Sequence, residues 1–242
     1  MQLRDDQTCG WILRQQEWDD WVNGAHRLIW VHGIPGAGKT ILASYIIEQA
    51  TSVLSNRQVT SACLYFYCSY RHGGDQTTSF LRWVVSQLCR QLNRIPQEIS
   101  ELHQKNAELT VAQLTNALAT LLGEIGLVYI IIDAIDECNT MSDIQAVDAP
   151  GMRVEFLQLL HTLLTLLEYA KIKIIATSRN YVDIEEVLRP LSAPVSMSNP
   201  LVDEDIRTYV NTQLQTNNRF RRWPLPLLRE IKDALVEGAK GM

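Results

Sequence analysis

The amino-acid sequence predicts an α/β protein whose sheet is mostly parallel and is covered by helices on both faces. Short, almost wholly apolar segments alternate along the chain with longer segments whose apolar residues recur at helical spacing. Such apolar strands are typical of parallel sheets that are buried on both faces. After the last strand only helical patterns follow, so we expect additional helices at the C-terminal end.

The composition fits a globular protein with a full core. The 242 residues are 46% hydrophobic and 20% charged, which excludes a disordered chain. A net charge of −5 provides no positive field for nucleic acid or anionic lipid. The five cysteines are odd in number and lack metal-ligand spacing, as expected for reduced thiols. No apolar run approaches the roughly 20 residues of a membrane span, and the first residues give no expectation of a secretory signal. We therefore expect a cytoplasmic protein with neither a membrane nor a nucleic-acid partner.

The N-terminal part is expected to be helical and to lead into a buried strand. One helical face carries apolar side chains, namely Trp11, Ile12, Trp18, Trp21 and Val22. Asn23-Gly24 is a typical helix end. Residues 27–32 form a compact apolar run that ends at a glycine, which predicts the first strand. From Lys39 to about Ala50 the pattern is helical.

The middle of the chain repeats this alternation. Residues 62–68 predict a second strand, and helices are expected over about 78–93 and 97–107. A capping-box pattern beginning at Thr110 predicts the start of another helix. Residues 127–133 are the most strand-like segment of the chain.

The last part adds two strands and three helices. Apolar residues at helical spacing over 156–167 predict a helix packed on the sheet. Strands are expected at 171–178 and 194–198. Beyond them only two helices are expected, over 203–215 and 225–239.

This pattern divides the chain into three parts. Residues 1–26 form an N-terminal helical segment, residues 27–199 form the sheet-containing core, and residues 200–242 begin a helical subdomain. The polar segment 139–152 is long for a loop in a compact domain. It is either disordered or a contact surface for a neighbouring subunit, and the sequence leaves both open.

The strongest chemical signal follows the first strand. It is a G-x-x-x-x-G-K-[ST] pattern made by Gly33, Ile34, Pro35, Gly36, Ala37, Gly38, Lys39 and Thr40, with Ile41 next in the helix. Its glycines allow the backbone to wrap a phosphate, and the helix directs its positive end at the same point. We expect Lys39 to reach the β- and γ-phosphates and Thr40 to ligate Mg²⁺. The pattern predicts a site for ATP/ADP or GTP/GDP with Mg²⁺.

Carboxylates follow the strand predicted at 127–133. Asp133 ends that strand, at the sheet edge where α/β proteins bind ligands, and there it can hold the metal. Asp136 and Glu137 come next and are candidates to polarise an attacking water. Without the phosphate loop, an acid cluster at a strand end is more often an ordinary loop start. With the loop present, the catalytic interpretation is favoured.

A third polar group ends the strand predicted at 171–178. Its sequence is Ala176-Thr177-Ser178-Arg179. Arg179, or a polar neighbour, is placed to contact a γ-phosphate and to report its loss. An ordinary exit from a strand is the alternative.

Together these segments resemble the NACHT family of signal-transducing P-loop NTPases, the nucleotide-binding module of NOD-like receptors, and its fungal members in particular. The resemblance is carried by TCGWIL, RLIWVHGIPGAGKT, LRWVVSQL, IIIDAIDEC, KIIATSR and DIRTYV, from about residue 8 to 240. The acid pattern is the most specific part, because plain kinases and GTPases lack a small residue, a hydrophobe and an Asp-Glu pair after the strand-end aspartate.

The resemblance implies more than the residues show. It implies the strand order 5-1-4-3-2, with one strand between those that carry the phosphate loop and Asp133. It also implies that Thr8, Cys9 and the residues up to Ile12 lie near the base, and that Arg179 senses phosphate rather than catalyses. In relatives a helical and a winged-helix domain follow, and on that basis we interpret the chain as the nucleotide-binding part of a larger receptor.

Three functions are compatible with the sequence. The leading hypothesis is a switch that holds a diphosphate at rest, exchanges it for a triphosphate, self-associates in the full-length protein, and hydrolyses slowly to reset. A P-loop small-molecule kinase is the alternative, although the sequence has no Arg-rich lid segment. A second alternative is a scaffold that binds nucleotide without hydrolysing it, and the presence of Asp133, Asp136 and Glu137 argues against that alternative. The sequence has no Asn-Lys-x-Asp guanine motif, which favours ATP without deciding. Alone, the chain is expected to be a monomer.

Overall fold

The described strands form a five-stranded parallel sheet. The computed structural model describes residues 8–55, 61–69, 75–104, 108–138, 152–220 and 222–239. Within them the strands are β1 Leu28–His32, β2 Ser61–Tyr67, β3 Leu127–Asp133, β4 Ile172–Ser178 and β5 Ala193–Ser196. All neighbouring strands are parallel, in the order β2-β3-β4-β1-β5. The predicted α/β class and the strand order implied by the resemblance are both confirmed, with β4 between β1 and β3.

The helices connect and cover these strands. In the described residues the α-helices are α1 Gln16–Asn23, α2 Lys39–Ser55, α3 Gln76–Leu92, α4 Gln97–Gln104, α5 Val111–Glu124, α6 Met152–Thr165, α7 Val182–Leu188, α8 Pro200–Thr216 and α9 Leu225–Ala239. The capping box predicted at Thr110 is present, with the Thr110 side chain accepting from the Gln113 amide and the Gln113 side chain accepting in return. Short 3₁₀ helices lie at Gly10–Arg14, Ile135–Glu137, Leu167–Tyr169 and Arg189–Leu191.

Three details differ from the sequence-based expectations. The expected N-terminal helix is broken, because Gln15 is extended (φ −82°, ψ 140°) between the 3₁₀ helix and α1. Helix α7 was not expected, since its seven residues give too short a pattern to recognise. Of the predicted loop 139–152, only Met152 lies within the described residues, where it begins α6.

The core has two halves, one on each face of the sheet. Along β1 the side chains alternate, so Leu28 and Trp30 pack with α3, α5 and α6, whereas Ile29 and Val31 pack with α1 and α2. Strand β4 is buried along its whole length. These contacts form the helix–sheet–helix layers expected for a parallel sheet.

Basic side chains close the edge at which the strands begin. The Arg27 guanidinium donates to the main-chain carbonyls of Leu163 (2.7 Å), Leu164 (2.8 Å) and Ile172 (3.1 Å), and also to that of Tyr169. Two of these carbonyls belong to the last turn of α6, where helix carbonyls have no partner within the helix. Arg27 therefore caps α6 and ties it to the start of β4.

Two lysines at this edge have the same role. Lys173, which is 6% exposed, donates from Nζ to the carbonyls of Trp21 (2.8 Å) and Val22 (3.0 Å) in the last turn of α1. Lys171 donates to the carbonyl of Leu122 (2.6 Å) near the end of α5. Cations at helix C-termini also interact favourably with the helix dipole. None of the helices in the described ranges is long and apolar enough to cross a membrane.

Candidate functional site

The loop between β1 and α2 has the conformation that its glycines were expected to provide. Gly36 (φ 82°) and Gly38 (φ 83°) adopt left-handed backbone angles that side chains disfavour. Gly33 is needed for another reason, since a Cβ there would lie 2.7 Å from the Cβ of Met197. The loop leads directly into α2 at Lys39, so the amides at the start of this helix border the loop.

Lys39 is held by the loop itself. Its Nζ donates to the carbonyls of Gly33 (2.8 Å) and Ile34 (2.9 Å). Burial lowers the pKa of Lys39, and the nearby carboxylate of Asp136 opposes this shift. An ammonium has three donors, so these two bonds orient the lysine without using all of its hydrogen-bonding capacity.

Asp133 is the centre of a buried cluster of oxygens. It is 3% exposed at the end of β3. Its Oδ2 accepts a hydrogen bond from Thr40 (2.7 Å), and its Oδ1 accepts one from Thr177 (2.5 Å). The Ala134 amide donates to the Thr177 hydroxyl (3.0 Å), in a left-handed conformation (φ 60°) that is uncommon for a residue with a side chain. Thr177 thus orients the aspartate, a role that its position at a strand end did not reveal.

These oxygens suit a hard divalent cation. A hydroxyl and a carboxylate are donors that Mg²⁺ accepts, and nucleotide-binding proteins supply only one or two such groups beside the phosphates. In the described part of the chain no group of three or more His, Cys, Asp or Glu side chains is arranged to hold a metal. Thr40 and Asp133 therefore fit a magnesium ion that is shared with phosphate.

Asp136 and Arg179 form an ion pair. The side chain of Asp136 is 6% exposed. Its Oδ1 accepts a hydrogen bond from the main-chain amide of Arg179 (3.0 Å), and its Oδ2 lies 3.0 Å from Nε of the Arg179 guanidinium. Arg179 also donates to the hydroxyl of Tyr181 (3.2 Å), the residue before α7. Since both of its oxygens bind Arg179, Asp136 is placed to hold the arginine. Glu137 lies on the wall of the same cavity and is the better candidate to orient water.

The strand ends and the loop enclose one cavity of about 320 Å³. It is lined by Pro35, Gly36, Ala37, Gly38, Lys39, Thr40, Ile41, Asp133, Ala134, Asp136, Glu137, Thr177 and Arg179. The structure thus brings together nearly all the site residues predicted from the sequence. Gly33 and Ile34 belong to the loop but do not line the cavity.

Thr8 and Cys9 lie elsewhere. The Cys9 amide donates to Asp205 of α8 (2.5 Å), and the neighbouring Gly10 lies near the hydroxyl of Tyr45 in α2. Neither residue lines the cavity, so their contact with a base stays a prediction. A larger cavity of about 550 Å³ lies between α3, α4 and α5. Its described lining combines apolar side chains with three arginines, and it borders neither the loop nor the acids.

The parallel sheet, the loop and the strand-end aspartate define the class of P-loop ATPase folds. The chain belongs to the family described as nephrocystin 3, N-terminal, whose model matches residues 7–179. It is 30% identical over 255 residues to the vegetative incompatibility protein HET-E-1 of Podospora anserina, covering 99% of this chain and 17% of that protein. The chain thus spans about a sixth of the length of this curated relative. The resemblance to the NACHT family is confirmed.

Solved structures agree on the fold. The ORC1 protein of Aeropyrum pernix, solved in complex with DNA, aligns with a TM-score of 0.52 and 16% identity over 82% of this chain and 46% of its own. The Walker-type ATPase PABY2304 of Pyrococcus abyssi aligns with a TM-score of 0.51 and 13% identity over 94% of this chain and 64% of its own. At these identities the likeness establishes a P-loop ATPase fold and nothing more.

Proposed function

We propose that the chain is the nucleotide-binding switch module of a longer signalling protein. It binds a nucleoside diphosphate at rest and a triphosphate when triggered, and slow hydrolysis resets it. The observation that carries this proposal is the convergence of Lys39, Thr40, Asp133, Glu137 and Arg179 on one cavity at the phosphate loop. Adenine is the favoured base, because the sequence has no Asn-Lys-x-Asp motif.

Each of these residues has a defined task in the proposal. The loop amides and Lys39 bind the phosphates, and Thr40 and Asp133 hold Mg²⁺. When bound, the magnesium ion neutralises charge on the phosphate oxygens. Glu137 orients the attacking water, and Asp136 positions Arg179.

Arg179 is the proposed sensor of the third phosphate. Its side chain is 43% exposed and lines the cavity, although it is paired with Asp136. A γ-phosphate competes for the guanidinium, which recognises phosphate and carboxylate in the same bidentate way. Because Arg179 also contacts Tyr181 at the start of α7, a change of partner is transmitted to that helix.

Oligomerisation and signalling are proposed for the longer protein. The vegetative incompatibility protein HET-E-1 is about six times as long as this chain. We expect the isolated chain to be a monomer with slow turnover, since rapid phosphoryl transfer requires an arginine finger worth roughly 10³–10⁵ in rate. Light scattering and phosphate release, measured together, test this. A monomer that turned over rapidly would contradict the switch and favour a self-sufficient enzyme.

Nucleotide binding is tested by thermal unfolding with Mg²⁺ and ATP, ADP, GTP or GDP. A ligand at about 100 times its Kd adds about 2.7 kcal/mol of stability. For a domain of this size, that raises Tm by roughly 5–10 °C. Lys39→Ala should remove most of the increase and leave Tm without nucleotide nearly unchanged. The same increase in that variant would exclude binding through the loop.

The division of labour between the acids is tested by two amide variants. Glu137→Gln should leave nucleotide Kd unchanged and slow phosphate release by about 10²-fold or more, the usual contribution of a general base. Asp136→Asn differs from Glu137→Gln in that it should also lower Tm, because it weakens the ion pair between the buried Asp136 and Arg179. Equal loss of binding in both variants would contradict these roles. Transfer of phosphate to a small-molecule acceptor instead of water would favour a kinase.

A further inference from the structure

Two thiols meet beside the proposed nucleotide site. Cys68 follows β2, and Cys138 follows the 3₁₀ helix that carries Asp136 and Glu137. Their sulfur atoms are 3.0 Å apart although 70 residues separate them in the chain. Cys68 is 4% exposed and Cys138 is 0% exposed. All five cysteines lie in the described part of the chain, and each is present as a thiol.

The backbone on both sides holds this pair in place. The Cys68 amide donates to the carbonyl of Asp133 (3.0 Å), which continues the pairing of β2 with β3 by one residue. The Cys138 amide donates to the carbonyl of Ile135 (3.1 Å) and closes the 3₁₀ helix. Strand register therefore sets the position of one sulfur, and a tight helical turn sets the position of the other.

We propose that Cys68 and Cys138 are a redox modification site, at which a hydroperoxide converts the two thiols into a disulfide. One sulfur attacks the peroxide; an S–O bond forms, the O–O bond breaks, and water or an alcohol leaves with the thiol proton. The second sulfur then attacks the resulting sulfenic acid. The S–S bond forms, the S–O bond breaks, and water leaves. The two sulfurs lose two electrons in total, and a dithiol reductant returns them.

The disulfide changes the geometry of the acids. The sulfurs have to approach by about 1 Å to reach the bond length of about 2.05 Å. Cys138 directly follows Glu137, so this movement displaces the proposed water-orienting carboxylate, and a misplacement of about 1 Å costs up to about 10²-fold in rate. The phosphate loop connects β1 with α2, and neither cysteine belongs to these elements. This effect on hydrolysis rests on the proposed function, whereas disulfide formation does not.

The first part of the test is independent of nucleotide. The purified chain is treated with excess hydrogen peroxide, any remaining thiols are alkylated, and the peptides are mapped by mass spectrometry. The hydrogen bond that Cys68 shares with Cys138, together with burial, raises the pKa of the Cys68 thiol, so the reaction is slow and excess oxidant is needed. We expect a Cys68–Cys138 linkage that dithiothreitol reverses, with Cys63 and Cys89 alkylated. Separate alkylation or irreversible oxidation of Cys68 and Cys138, or linkage to other cysteines, would overturn the proposal.

The second part measures nucleotide Kd and phosphate release before and after oxidation. Oxidised protein should keep its Kd and hydrolyse roughly 10- to 100-fold more slowly. Cys138→Ser should lose this response, whereas the matched control Cys89→Ser should keep it. An equal response in both variants would contradict the coupling. If reduced protein binds no nucleotide but still forms the linkage, the proposed function fails and the modification site stands.

Discussion

The two edges of the sheet both carry arginine and lysine side chains, but these stabilise the fold at one edge and line the candidate site at the other. At the edge where strands begin, Arg27 and Lys173 donate to helix-end carbonyls. At the edge where strands end, Lys39 and Arg179 line a cavity together with carboxylates. The first set stabilises the fold, because it supplies donors to carbonyls in the last turns of helices, where partners within the helix are lacking. The second set can exchange its present partners for those of a ligand.

The direction of the helices explains this difference. In a parallel sheet the connecting helices run opposite to the strands, so their C-termini meet at one edge and their N-termini at the other. C-terminal carbonyls attract cations, whereas N-terminal amides attract anions. The basic residues at the first edge are therefore occupied by hydrogen bonds to helix ends. At the second edge, helix α2 and the basic residues act on the same anion.

The largest effect is expected from Arg27→Met, which tests the structural edge. The guanidinium serves four main-chain carbonyls through partly buried hydrogen bonds, and leaving a fully buried acceptor without a partner would cost about 1–3 kcal/mol. After partial relaxation we expect the free energy of unfolding to fall by about 3–5 kcal/mol, measured by urea denaturation. Arg82→Met, at an exposed arginine of α3, should change it by less than about 0.5 kcal/mol. Similar losses in both would show that Arg27 has no special role.

A matched pair of lysine variants compares the edges directly. Lys173→Met should lower the free energy of unfolding by about 2–4 kcal/mol, because it removes the Nζ donor that serves the carbonyls of Trp21 and Val22 at the end of α1. Lys39→Met should change it by less than about 1 kcal/mol, since its loop carbonyls are only partly buried and can bind water. Isothermal titration with Mg²⁺-nucleotide should give the opposite order, with affinity lost only in Lys39→Met. If both variants lost stability equally, the distinction between the edges would be wrong.

The smallest effect concerns pH. Burial lowers the pKa of His32 at the end of β1, while Glu185 opposes the shift and Arg189 and Lys39 add to it. The unfolded chain therefore binds a proton more readily, and stability should fall as pH drops below about 6.5. Denaturation of wild-type and His32→Gln protein at about pH 8 and about pH 5 isolates this contribution. Parallel pH profiles would mean that His32 contributes nothing.

The local parts of this protein could be predicted from its sequence. Each predicted strand occurs within about two residues of its expected bounds, because an apolar run between turn residues is a local pattern. The phosphate loop is equally local, since its spacing and the left-handed angles of Gly36 and Gly38 arise within eight residues. Helix α7 escaped recognition because a seven-residue helix shows less than two full turns of periodicity.

The interactions that connect these parts depend on strand order and register, which no local pattern contains. Thr177 orients Asp133, and Asp136 holds Arg179, only because β4 pairs with β3 and their ends meet. Position 33 needs glycine because a Cβ there would collide with Met197, which lies 164 positions further along the chain. The sulfurs of Cys68 and Cys138 likewise come together through the pairing of β2 with β3. Apolar spacing shows where strands form, whereas side chains far apart in the chain become neighbours only when the strands pack side by side.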